Sequence, residues 1–86
     1  MRAEELLPDH KNAGAFNGVV VRKGSVGAFL ANAKTLADPD VSDEARALAE
    51  RDIVELLPAL RALGLFDVFE IRDATLRAFV KERDVR

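Results

Sequence analysis

The sequence has no cysteine and only one histidine among its 86 residues. Without cysteine there is no disulfide and no thiolate chemistry, which fits the cytoplasmic location that we expect. A zinc site needs three or four His, Cys or carboxylate ligands, so His10 is interpreted as a solvated side chain. Serine–histidine catalysis would require Ser25 or Ser42 to meet His10, but both serines are better explained as helix caps. We therefore expect no metal, no cofactor and no enzymatic activity.

Long apolar runs and an excess of one charge are also missing. No stretch approaches 18 consecutive apolar residues, so no segment is expected to span a membrane. The acidic residues Glu4 and Glu5 interrupt the start of the chain, where a signal peptide needs an apolar region. With 13 basic and 15 acidic residues the formal net charge is −2, whereas a nucleic-acid-binding protein needs surplus Lys and Arg. Nucleic-acid binding is therefore only the third hypothesis for function.

Two segments come near known binding motifs without matching them. Residues 23–25 read Lys-Gly-Ser, whereas a phosphate-binding P-loop reads Gly-Lys-Ser or Gly-Lys-Thr. The acidic residues of segment 38–44 lack the spacing of an EF-hand, because Asp43 and Ala49 occupy the positions of its glycine and glutamate. The acidic segment is therefore interpreted as a loop between two helices.

A hairpin is the first structural element that the sequence predicts. Asn17-Gly18 suits a type I′ turn, which needs positive φ at both central residues, and three valines follow it. We predict strands at about residues 13–16 and 19–22, after a polar lead-in over residues 1–12. Because two strands alone are marginal in water, the hairpin must pack on helices.

Apolar residues at spacings of three and four predict three helices, at about residues 25–37, 42–63 and 73–82. Ser25, Ser42 and Asp73 are their predicted caps, Gly64 ends the second helix, and Pro58 is expected to kink or break it. Phe66 and Phe69 are expected to enter the core. The predicted core stripes are Val26, Phe29, Leu30, Ala33, Leu36 and Ala37, then Ala45, Leu48, Ala49, Ile53, Leu56, Leu57, Leu60 and Leu63, then Leu76, Phe79 and Val80.

These elements predict an α+β fold, with a short N-terminal two-stranded β-hairpin packed on three or four α-helices. Of the 86 residues, 28 are Leu, Val, Ile, Phe or Met, which is too many for a disordered chain. The chain is short enough for one compact domain, which we place at residues 13–86.

The valine strand suggests a contact with another chain. A two-stranded sheet has two open edges, and Val19 and Val21 face the side opposite to Val20. The predicted interface is Phe16, Val19, Val20 and Val21, used for dimerisation or for capture of a peptide strand. Coverage of the outer face by the lead-in is the alternative.

A second possible contact is an anion at the start of the first predicted helix. The amides of residues 24–27 open this helix, and two cations stand beside them. The candidate contacts are Arg22, Lys23, Gly24 and Ser25. An ordinary joint between a strand and a helix explains the same residues.

Four features together resemble a small family of uncharacterised bacterial proteins. They are the turn Asn17-Gly18, the joint Gly24-Ser25-Val26 leading to Leu30 and Asn32, the in-helix Pro58, and Gly64-Leu65-Phe66-Asp67 with Phe69 after it. The resemblance covers about residues 13–70 and implies a hairpin followed by helices. The family has no assigned activity, so the resemblance implies no catalytic residue.

The leading functional hypothesis is a non-catalytic protein that acts through protein contacts and self-associates as a homodimer. Missing catalytic constellations and the apolar strand both favour it. The alternative from another class is a small-molecule or anion binder at residues 24–27.

Overall fold

The computed structural model describes residues 13–16 and 18–83. The predictions for the lead-in, for His10 and for Asn17 fall outside the described residues. The same is true of the side chains at positions 13, 16, 20 and 22.

Two four-residue strands precede the helices, β1 over Ala13–Phe16 and β2 over Val19–Arg22. They lie antiparallel, with Phe16 opposite Val19 and Ala13 opposite Arg22. Gly18, between them, has a φ of 80°. Among the strand side chains that the structure describes, only Val21 is buried.

Four helices follow in the described part of the chain: α1 over Ser25–Ala37, α2 over Asp43–Leu63, α3 over Leu65–Val68 and α4 over Ala74–Arg83. Helix α1 ends shortly before Pro39, because the residue before a proline is disfavoured in the helical region. Asp38 accordingly has an extended backbone, with φ −79° and ψ 113°.

The predicted ends of α2 and the predicted start of α4 are confirmed. The Ser42 hydroxyl accepts a hydrogen bond from the Ala45 amide at 3.1 Å, which satisfies a donor that the first turn leaves unpaired. Asp73 Oδ2 accepts from the Leu76 amide at 2.8 Å in the same way. Gly64 ends α2 with a φ of 82° and donates its amide to carbonyls of the last turn.

The predicted cap of α1 is wrong. Ser25 is the first helical residue and is buried, while Gly24 precedes the helix in a left-handed conformation without a side-chain cap. A glycine can turn the chain sharply from β2 into α1, so the joint is made by backbone geometry rather than by a hydroxyl.

The core is a cluster of side chains from three helices. Phe29 of α1 and Val80 of α4 pack around the buried strip of α2 formed by Ile53, Leu57 and Leu60. Phe66 closes one end, its ring 5.8 Å from that of Phe29 and inclined at 68°. Other apolar side chains pack against this cluster: Leu36, Leu56, Leu65, Ile71, Leu76 and Phe79.

The predicted α+β fold class is wrong, because the domain is mostly helical. Among the strand side chains that the structure describes, none belongs to the buried cluster, and the buried Val21 lies outside it. The prediction gave too much weight to three consecutive valines. In this chain β-branched residues occur in a strand too short to form a layer of the core.

Several residues predicted to be in the core are exposed. Val26 and Leu30 of α1, Leu48 of α2 and Phe69 keep 36% to 66% of their surface exposed. The α1 stripe was too wide for one partner helix, so only its Phe29 and Leu36 side reaches the core. Phe69 follows the last residue of α3 with an extended backbone, which carries its side chain away from the core.

Of the kink or break expected at Pro58, the break does not occur: α2 runs unbroken from Asp43 to Leu63. Pro58 removes the amide that would bond to the carbonyl of Val54, and both residues are exposed. The missing hydrogen bond therefore lies on the solvent side of α2, where water can bind the carbonyl.

We expect the change Leu60→Ala to lower the free energy of unfolding by about 2–5 kcal/mol, because the side chain is fully buried. Leu48→Ala, an exposed leucine of the same helix, should change it by only about 0.5 kcal/mol. Urea unfolding followed by circular dichroism measures both. Equal losses in the two variants would contradict the core described above.

Two glycine replacements should change stability in opposite directions. Gly64→Ala should lower the free energy of unfolding by about 1 kcal/mol, because alanine is strained at a φ of 82°. Gly27→Ala should raise it by about 0.5–1 kcal/mol, since this glycine lies inside α1 with open space around a new Cβ. The same urea titration tests the pair, and a Gly64→Ala protein as stable as the parent would contradict the left-handed end of α2.

Candidate functional site

A groove of about 500 Å³ lies between α1 and α4, beside the first half of α2. Its apolar lining is Leu30, Ala33, Leu36, Ala37, Leu76 and Phe79. Its volume lies within the range of about 300–1,000 Å³ that is typical of ligand-binding clefts, so the groove can hold several side chains of a partner. We call this surface the α1–α4 groove.

Polar residues of both signs complete the lining of the α1–α4 groove. They are Lys34, Arg46, Glu50, Asp73 and Thr75. Two of them are held by backbone groups. Arg46 donates to the carbonyls of Leu36 at 3.2 Å and Asp38 at 3.4 Å, at the end of α1, where the carbonyls lack helical partners. Asp73 accepts a hydrogen bond from the Leu76 amide in the first turn of α4.

Leu30 stands at the border of the α1–α4 groove with 54% of its surface exposed. Val26 lies one turn earlier on the same side of α1 and is also exposed. These residues belong to the stripe that the sequence predicted for the core. Because Phe29 occupies the core side of α1, a second apolar face remains uncovered within the described structure.

The other predicted interface is only partly available. Val21 is 2% exposed, so it cannot contact another chain without leaving its own fold. Val19 is half-buried, and the side chains of Phe16 and Val20 lie outside the described residues. The dimerisation prediction therefore loses one of its four residues and remains untested at the others.

The predicted anion contact lies at a cleft of about 360 Å³, next to the start of α1. The cleft includes Lys23, Gly24 and Ser25, as the sequence suggested, whereas the side chain of Arg22 is not described. Glu55 of α2 also lines it. A carboxylate opposite the helix start repels an anion, so the geometry adds no support to this alternative.

Two further findings concern the part of the chain that the structure describes. No described helix is both long and apolar enough to cross a membrane. Among residues 13–16 and 18–83, no three His, Cys, Asp or Glu side chains gather in a way that could hold a metal ion.

Comparisons with family models, with curated proteins and with solved structures find no significant match to this chain. The resemblance noted from short motifs therefore stays a prediction. The functional interpretation depends on the geometry of the domain alone.

Sequence reasoning missed the α1–α4 groove, although one signal pointed to it. The α1 stripe contains both Phe29 with Leu36 and Val26 with Leu30, which lie on two sides of the helix. A single partner helix covers a narrower face than this. The polar lining residues gave no such signal, because they come from three separate helices that meet only in the folded chain.

Proposed function

We propose that this domain acts through protein contacts, without catalysis of its own, and that it self-associates as a homodimer through the α1–α4 groove. The observation that carries the proposal is the exposed Leu30 beside an apolar groove. Val26 extends the same face by one turn.

Burial of this face would be favourable. Complete burial of a leucine or valine side chain contributes about 1.5–3 kcal/mol, and Leu30 has about half of that burial still to gain. Contiguous apolar surface on a small domain is typical of sites where proteins meet. A groove next to a protruding leucine gives such a surface both a cavity and a side chain that can fill it.

A second copy of the chain is the occupant that the surface fits. In a two-fold dimer the same patch meets itself, so it must offer both a protrusion and a recess, as Leu30 and the groove do. Its charges are also mixed, with Lys34 and Arg46 against Glu50 and Asp73. A two-fold rotation can place these opposite charges against one another, which favours self-recognition.

We expect the change Leu30→Glu to raise the dissociation constant of the homodimer by about tenfold or more. The substitution removes the apolar contact of Leu30, and a loss of about 1.4 kcal/mol of binding free energy is a factor of ten in the dissociation constant. Sedimentation velocity at protein concentrations of roughly 5 µM to 1 mM, which cover the dissociation constants of weak dimers, measures the change.

Leu48→Glu is the matched control for Leu30→Glu. Leu48 is 50% exposed on a helix, close to the 54% of Leu30. It lies between Arg46 and Glu50 in the sequence, and residues two apart point to nearly opposite sides of a helix, so it faces away from the groove. A parent chain that stays monomeric to 1 mM, or an equal effect of both variants, would refute the proposed dimer.

A further inference from the structure

Helix α1 has almost no charge on its solvent side. Lys34 is the single charged residue among the 13 residues of α1, whereas 33% of the whole chain is charged. The exposed side of a helix in a small domain is normally polar, so this composition is typical of a helix that packs against another one. The other exposed positions of α1 carry apolar or small residues: Val26, Gly27, Ala28, Leu30, Ala31 and Ala37.

Four residues of α1 follow one another at spacings of four, three and four. They are Val26, Leu30, Ala33 and Ala37, which we call the α1 seam. Leu30, Ala33 and Ala37 also line the α1–α4 groove, so the seam runs along the groove. Alternating spacings of three and four are those of a helix that lies lengthwise against a second helix. The occupant that fits the α1 seam is therefore a helix.

The sizes of the seam residues change along the helix. Val26 and Leu30, toward the N-terminal end, are large and are 36% and 54% exposed, whereas Ala33 and Ala37 are small. In a parallel pair of α1 helices, leucine would meet leucine and alanine would meet alanine, which leaves a void beside the alanines. In an antiparallel pair each large residue meets a small one. Of the two orientations, only the antiparallel one makes the α1 seam complementary to itself.

Electrostatic interactions favour the same orientation. A parallel pair would bring both copies of Lys34 to the same level, where their charges repel. In an antiparallel pair centred between residues 31 and 32, the two lysines are five residue levels apart, or about 7.5 Å along the helix axis. The antiparallel orientation also places the positive end of each helix dipole beside the negative end of the other.

We propose that α1 pairs with α1 of a second copy in the antiparallel orientation, so that Leu30 packs on the partner's Ala33 and Val26 packs on the partner's Ala37. This inference rests on the homodimer proposed above and specifies how its two chains meet. The two-fold axis then passes between residues 31 and 32. Because Ala33 lines the α1–α4 groove, Leu30 of each copy lies at the groove of the other.

The absence of cysteine allows a test with single-cysteine variants of the whole chain. Val26→Cys and Ala37→Cys are mixed and oxidised with glutathione disulfide. A disulfide needs two Cα atoms about 4.4–6.8 Å apart, and the proposed pairing brings position 26 of one copy next to position 37 of the other. We therefore expect covalent dimers that contain one copy of each variant. Intact-mass spectrometry identifies them, because the two variants differ in mass.

Dimers of two identical variants should be scarce. In the antiparallel pair the two copies of position 26 are eleven residue levels apart, or about 16 Å along the helix axis, and the same holds for position 37. We expect mixed dimers to exceed either identical pair by about tenfold, because only the mixed pair meets the distance that a disulfide needs. A parallel pair would give the reverse result.

Leu48→Cys is the matched control, since Leu48 is 50% exposed and faces away from the α1–α4 groove. Mixed with Val26→Cys, it should give no mixed dimers beyond those of random collision. Identical pairs in equal or greater amount than the Val26→Cys with Ala37→Cys dimer would overturn the antiparallel pairing, and so would the absence of any covalent dimer. If sedimentation still shows a parent dimer that Leu30→Glu weakens, the pairing alone is refuted and the homodimer stands. A parent chain that stays monomeric refutes both proposals.

Discussion

The strip of α2 formed by Ile53, Leu57 and Leu60 is almost completely shielded from solvent, and the other described elements are positioned against it. Helix α1 contributes Phe29, α4 contributes Val80, and the short α3 brings Phe66 onto Phe29. In a chain of this length a single helix face must organise most of the core, because the domain has too little apolar volume for a second one. The position of the α1–α4 groove follows from this packing.

Arginine side chains add a second kind of constraint, at the places where helices end. Arg46 of α2 bonds to the carbonyls at the end of α1, and Arg77 of α4 bonds to the carbonyls of the segment before it. Each guanidinium satisfies backbone acceptors that no helix supplies with donors, and it carries its charge into the lining of a cavity. The same contacts that stabilise the fold therefore contribute to the charge of the α1–α4 groove and of the pocket beside Phe69.

Two exposed apolar surfaces, one beside Leu30 and one around Phe69, have a common origin in the geometry of a small helical domain. Helix α1 has apolar residues on two sides, and α2 covers only the side of Phe29. The chain leaving α3 is extended, so Phe69 stands in solvent although Phe66 is packed. The core requires neither exposed surface, and the one beside Leu30 is the surface that we propose for self-association.

The sequence by itself determined the three longer helices and most of their ends, because these depend on interactions within a few residues. Ser42, Gly64 and Asp73 act on backbone groups at most four residues away, and the α2 strip follows from a regular spacing of three and four. Only the tertiary structure decided which apolar residues are covered: periodicity could not show that α1 turns Phe29 inward and leaves Leu30 outside. It also decided the fold class, since three valines favour a strand locally but cannot reveal that the largest buried cluster is built from helices. Burial depends on which elements meet, and residues far apart in the chain determine that.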